Sequence, residues 1–151
     1  MTGVTHTGIE IDRTTSASPE AVFAALSEAT AFALWFGGAD IEIPLATLNF
    51  EAVEGKSWSA VMELPDGSTI NWAGTFLRVE APTHFAFTLT DQPGSDAPQV
   101  PVEITIGPAD GGASLHMTQQ TPDFPAEQKA ATLDGWQIFF DEALAIAEGL
   151  R

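Results

Sequence analysis

The stretch PAEQKAATLDGWQIFFDEALAIAEG, residues 125–149, decides the fold. Within it Leu133, Trp136, Phe140, Leu144 and Ala147 recur at i, i+3, i+7, i+11 and i+14. That spacing places them on one continuous stripe of an α-helix. An apolar stripe of this length must be buried against another element. Gly135 lies inside the same helix, where glycine costs about 1 kcal/mol relative to alanine. Close approach of another backbone, or of a ligand, is a reason to keep it. Helix-start chemistry around Asp123-Phe124-Pro125 is present but irregular.

Upstream, the period is that of strands. Trp58, Ala60 and Met62 alternate with Ser59 and Val61; Leu48, Phe50 and Ala52 alternate with Asn49 and Glu51. Thr69 to Glu80 reads as one long strand, ended by Ala81-Pro82, and His84 to Thr90 as the next. Val102, Ile104 and Ile106, then Ala113, Leu115 and Met117, form two more strands about an Asp110-Gly111-Gly112 turn. Glu54-Gly55 and Pro65-Asp66-Gly67 mark further turns; in the latter, Pro presets φ and Gly permits positive φ. Asp91 to Pro101, rich in Pro, Gly, Ser and Asp, reads as a loop. Ahead of this region, Gly8 to Thr14 alternates as a strand. Ser18-Pro19-Glu20 supplies an N-cap, a first-turn proline and a first-turn acid, with Val22, Phe23 and Leu26 as the apolar face. Ser27 is positioned to cap a second short helix that ends near Trp35-Phe36 and stops at Gly37-Gly38.

The order is therefore strand, two short helices, five or six antiparallel strands, and one long helix. The expected fold is α+β: a curved antiparallel sheet of about six or seven strands gripping the C-terminal helix, with an apolar hollow between them. No internal repeat or second domain is visible, so residues 1–151 are read as one domain with residues 1–7 as a flexible tail.

Composition narrows the function. The chain of 151 residues carries 5 basic and 21 acidic side chains, a net charge of −16. No Lys or Arg occurs between Arg13 and Lys56, or between Arg78 and Lys129. Nucleic acids and anionic membrane surfaces need clustered cations and are not expected partners. The absence of cysteine removes disulfides, thiol nucleophiles and cysteine-ligated metals. No apolar run approaches the roughly 18 residues of a spanning helix. Met1-Thr2-Gly3-Val4-Thr5-His6 lacks a basic region followed by an apolar one, so no signal peptide and a cytoplasmic location are expected.

Several segments, taken in order, resemble one family. Ser18-Pro19-Glu20-Ala21-Val22-Phe23-Ala24-Ala25-Leu26 resembles its first helix, and Leu34-Trp35-Phe36-Gly37 its Trp-rich second. Gly55-Lys56-Ser57-Trp58, Asp66-Gly67, Gly74 through Pro82 and Phe85-Ala86-Phe87-Thr88-Leu89 resemble its central strands. Asp134-Gly135-Trp136 resembles its Gly-Trp pair in the last helix. The chain is thus similar to the SRPBCC, or START-like helix-grip, superfamily, in the branch of Aha-type activators of the heat-shock ATPase chaperone. One departure is Ala81-Pro82-Thr83-His84, where that branch often carries two prolines and a basic residue. The resemblance implies the helix-grip fold. It leaves function among carriers, cyclases and chaperone cofactors, so function must be argued from the site.

Ten Phe, four Trp and no Tyr give aromatic surface with few hydroxyls to satisfy. Trp35, Phe36, Trp58, Met62, Trp72, Phe87, Met117, Trp136 and Phe140 are the expected lining of the hollow, and each is equally able to serve as core packing. Arg78 is a candidate anchor for a ligand carboxylate or keto oxygen, or else half of a surface ion pair; Arg13 has the same two readings. Along Thr69–Glu80, Trp72, Phe76 and Arg78 share one face and Leu77 and Val79 the other. Both cannot point inward unless a bulge near Gly74 reverses them. His6, His84 and His116 lack metal-ligand spacing, and no metal, cofactor or catalytic residue is assigned. The expected function is a non-enzymatic carrier or sensor of a small hydrophobic or aromatic ligand, acting as monomer or homodimer. A cyclase/dehydratase-like enzyme in the same hollow, with Glu63 or His116 as conceivable proton-transfer groups, is the alternative. A chaperone-associated module with a protein partner is the third reading.

Overall fold

A computed structural model describes residues 2–38, 40–94, 100–121 and 123–149. Two antiparallel strands open the chain, β1 (Gly3–Val4) and β2 (Gly8–Thr15). Two helices follow, α1 (Pro19–Ser27) and α2 (Ala29–Trp35). Strands β3 (Ser57–Glu63), β4 (Thr69–Glu80), β5 (His84–Leu89), β6 (Val100–Ala109) and β7 (Gly112–Gln120) form a meander, and α3 (Ala126–Ala147) ends the fold. The sheet order is β1-β2-β7-β6-β5-β4-β3, antiparallel throughout. The first long strand thus pairs with the last, and α1 and α2 carry the chain from one side of the sheet to β3 at the far edge. Both short helices pack on α3. This is the α+β grip expected from the order of elements.

Local chemistry explains most boundaries. Ser18 Oγ accepts from the Ala21 N–H at 3.1 Å, with Pro19 opening the helix, as N-cap chemistry requires. At the β3–β4 turn Asp66 Oδ1 accepts from the Ser68 N–H at 2.9 Å and its hydroxyl at 2.6 Å. These bonds hold the Asp66 carboxyl below the usual carboxylate range.

Four expectations need correction. The stretch read as a tail contributes β1, whose Gly3 and Val4 pair with Glu10 and Ile9. Ser27 does not cap α2: it closes α1 and its hydroxyl donates back to the Phe23 carbonyl at 2.7 Å, competing for backbone as serine does inside helices. Residues 48–52 are not a strand but irregular chain touching β3 through one bridge, Asn49 to Ser59. Phe50 is nevertheless buried and Leu48 and Ala52 pack beside it against the core, with Asn49 and Glu51 exposed, so core packing without a ladder accounts for the alternation. Finally, β4 does change face, but at Leu77. The register slips between Phe76, opposite Phe87, and Arg78, opposite Ala86. Leu77 is the extra residue of this bulge and is exposed, while Phe76 and Val79 on either side both turn to the core. Residues 95–99, the middle of the stretch read as a loop, lie outside the described residues.

Gly74 shows how tightly the sheet coils here. A Cβ at that position would lie 1.8 Å from the Thr88 carbonyl oxygen and 2.6 Å from Trp58 Nε1. The Trp58 indole donates to that same carbonyl at 3.0 Å. Glycine at 74 therefore makes room for the bond that fixes the largest core side chain of β3. Gly74→Ala is expected to destabilise the protein by about 3 kcal/mol through overpacking, read as a lowered midpoint of urea unfolding. An unchanged midpoint would show that β4 and β5 lie farther apart.

Candidate ligand-binding cleft

Helix α3 lies unevenly on the sheet. Its buried residues, Trp136, Phe140, Ala143 and Leu144, run from its middle towards its C-terminal end. Its second half is also held by polar side chains. Arg13 on β2 donates to Asp141 Oδ1 at 2.8 Å and Gln137 Oε1 at 3.1 Å, and the Thr15 hydroxyl donates to the Glu148 carboxylate. The first half is tied instead to the N-terminal turn, where Lys129 Nζ donates to the carbonyls of His6 at 2.8 Å and Thr5 at 3.2 Å. Between that first half and the ends of β4 through β7 the helix leaves a cleft of about 710 Å3. Ligand sites commonly measure roughly 300–1,000 Å3.

The helix presents Gln128, Thr132, Gly135, Trp136 and Phe139 to the cleft, positions that share one face. Four rings make a continuous aromatic wall. Trp72 of β4 meets Phe36, just past α2, edge-on at 5.5 Å; Phe36 meets Phe139 at 5.4 Å; Phe139 meets Trp136 edge-on at 5.2 Å. Leu89, Val100, Pro101 and Phe124 add apolar surface, and Thr90, Asp91, Gln92, Gln119, Gln120, Thr121 and Asp123 add polar groups. A Cβ built on Gly135 meets nothing within 4 Å. Of the two reasons for a glycine there, backbone approach is thereby removed, and open cleft is what faces it.

The four indoles separate core from cleft. Trp35 Nε1 donates to the Ala25 carbonyl at 2.9 Å and Trp58 Nε1 to the Thr88 carbonyl. Trp136 Nε1 donates to Gln119 Oε1 at 2.6 Å. An indole N–H only donates, so this bond orients the amide and leaves its NH2 as the donor end. Trp72 Nε1 is buried with no partner among the described residues, and so is Thr121 Oγ1. The backbone of Thr121 is satisfied, its N–H donating to the Thr7 carbonyl and its own carbonyl accepting from the Phe124 N–H. Only the hydroxyl is left over. A buried polar group without a partner costs about 1–3 kcal/mol, and both of these groups lie on the one cleft.

Of the residues singled out from sequence, Phe36, Trp72 and Trp136 line this cleft. Trp35, Trp58, Met62, Phe87, Met117 and Phe140 lie in the buried core beside it. Arg78 lies on the sheet surface and donates to Glu80 Oε2 at 2.5 Å. That bond raises the guanidinium pKa and holds the Glu80 carboxyl below its ordinary value. Arg13 clamps α3 as described. His116 points to the outer face of the sheet, where Nδ1 lies 2.7 Å from Asp12 Oδ1 beside a shallow hollow of about 330 Å3. Glu63 ends β3 with its side chain exposed. Neither lines the cleft. No group of three or more metal-ligating side chains occurs among the described residues, and none of their helices is long and apolar enough to cross a membrane.

Gln119, Thr121 and Phe139 were missed in the sequence. Their signal was partly there: Ala113, Leu115 and Met117 point inward, and the same parity continues to Gln119 and Thr121. A polar side chain at the next inward position of an apolar alternation marks a wet or functional end of a strand.

Comparison with known proteins agrees with this architecture. The crystal structure of a protein from Chromobacterium violaceum superposes with a TM-score of 0.81 at 23% identity, covering 95% of this chain and 99% of that one. The AHSA1-like protein from Aeromonas hydrophila gives 0.73 at 24% identity over 93% of each chain. The AHSA1 protein from Silicibacter pomeroyi gives 0.78 at 19%, over 94% of this chain and 98% of that one. At such identities the likeness is one of fold. No curated protein matches the chain. The family model described as Activator of Hsp90 ATPase homolog 1-like protein matches residues 16–147, and with that match across the grip fold the chain belongs to this family.

Proposed function

We propose that the protein is a cytoplasmic, non-enzymatic carrier or sensor that binds a small hydrophobic, partly aromatic molecule in the cleft beneath the first half of α3. The observation that carries this reading is the four-ring wall of Trp72, Phe36, Phe139 and Trp136 facing open space of about 710 Å3. Rigid rings at the edge of a hollow offer a flat ligand large contact area at little entropic cost. The ionisable residues that line it among those described, Asp91 and Asp123, both lie on exposed connections at its rim. Proton transfer inside a closed site needs an ionisable group within hydrogen-bond reach of the reacting atom, and the aromatic wall offers none. This favours binding over the cyclase-like alternative.

Trp72 and Trp136 both line the cleft, so a bound aromatic molecule should quench intrinsic fluorescence saturably. A ligand that binds only the folded state adds about 2.7 kcal/mol of stability at about 100 times its Kd, or roughly 5–10 °C in Tm for a chain of this size. The expected outcome of titrating flavonoids, polyketide-like aromatics, fatty alcohols and sterols is saturable quenching with raised Tm for one chemical class. No response across the panel would shift the reading to a protein partner.

Gly135 separates a binding role from a structural one. Gly135→Ala should stabilise the ligand-free protein by up to about 1 kcal/mol, since helix propensity improves and nothing obstructs the methyl group. Gly135→Leu, which fills the cleft, should keep the protein folded and lower affinity for the responsive class at least tenfold. Full affinity in Gly135→Leu would place the ligand elsewhere.

A further inference from the structure

We propose that the cleft selects an uncharged ligand bearing carbonyl oxygens on a flat apolar body, and that the Thr121 hydroxyl, the Trp72 indole and the Gln119 amide are the donors that orient it. This inference rests on the cleft being a binding site and goes further in naming the chemistry it accepts.

The donors share one property. Trp72 Nε1 has only a proton to offer, and the Gln119 amide turns its NH2 outward because its oxygen is engaged by Trp136. The Thr121 hydroxyl, on a residue only 1% exposed, has no partner among the described residues. All three line the same cleft. A hydroxyl is able to donate as well as accept, so the complement common to all three is an acceptor oxygen. Charge then decides which kind. A carboxylate would satisfy these donors, but among the described residues that line the cleft there is no Lys or Arg, and the ionisable ones are the acids Asp91 and Asp123. The cations among the described residues are committed elsewhere: Arg13 to Asp141, Lys56 to Glu51, Arg78 to Glu80, and Lys129 to two backbone carbonyls. An anion would lose its hydration without gaining a counter-charge, beside two rim carboxylates in a chain of net charge −16. A ketone, ester or quinone oxygen meets the donors without that penalty.

Three isosteric probes test this with the full-length protein: acetylnaphthalene, isopropenylnaphthalene and naphthoate, substituted at the same ring position and titrated by calorimetry. The expected result is that the ketone binds at least tenfold more tightly than both the alkene and the carboxylate. Thr121→Val, which keeps shape and removes an unpartnered hydroxyl, and Trp72→Phe should each weaken the ketone more than the alkene and so narrow the ketone-over-alkene ratio. Thermal unfolding of both variants confirms that they are folded. Equal binding of ketone and alkene, or a ratio unmoved in both variants, overturns the donor assignment and leaves the cleft as an apolar site. Naphthoate binding as tightly as the ketone overturns the selection for an uncharged ligand. If none of the three binds, the reading of the cleft as a small-molecule site fails with it.

Discussion

The structure depends on how closely α3 lies against the sheet. In its second half the contact is dry: Phe140, Ala143 and Leu144 are buried, and the small Ala143 lets the helix come down. Arg13 and Thr15 of β2 then fasten it through Asp141, Gln137 and Glu148. In its first half Leu133 still packs against the core, but Gln128, Thr132 and Gly135 face the cleft and are too polar or too small to fill it. A single helix thus closes the core at one end and roofs a cleft at the other. The change from one to the other takes place within a few residues.

Trp136 lies at that boundary and belongs to both parts. Its ring packs at 5.5 Å against Phe140 on the core side and at 5.2 Å against Phe139 on the cleft side. Its N–H fixes Gln119, and through valence alone decides which end of that amide is offered as donor. The core indoles Trp35 and Trp58 give their protons to backbone carbonyls, as buried tryptophans must. Among the described residues, Trp72 Nε1 and Thr121 Oγ1 lack this compensation and carry the desolvation cost. Sites keep such unpaired groups when pairing happens on binding, and the position of both on one cleft fits that pattern.

Membership of the Activator of Hsp90 ATPase homolog 1-like family accounts for the frame and leaves the contents of the cleft to this chain's own residues. The acidic balance acts in the same direction as the cleft chemistry. Among the described residues Arg13, Lys56, Arg78 and Lys129 are each engaged outside the cleft, and none of them lines it.

Sequence periodicity determined the parts of this fold that depend on neighbours along the chain. The stripe through Leu133, Trp136, Phe140, Leu144 and Ala147, the Ser18-Pro19 helix start, the Thr69–Glu80 strand and the turns at Gly67 and Gly111 follow from side-chain period and backbone freedom. These local preferences do not change when the chain folds. The tertiary structure decided what depends on distant partners. Whether 48–52 pairs as a strand, where β4 changes face, and which of ten candidate residues reach the cleft are set by strand register and by the tilt of α3. The bulge at Leu77 carries no residue-type signature, because any side chain tolerates it once Phe76 and Val79 are both drawn inward. Gln119 and Thr121 continue the inward parity of Ala113, Leu115 and Met117, which alone assigns them no role. Only the placement of Trp136 over one, and of no described residue over the other, made them part of a candidate site. A hydrogen bond across sixteen or more residues of chain leaves no trace in local pattern.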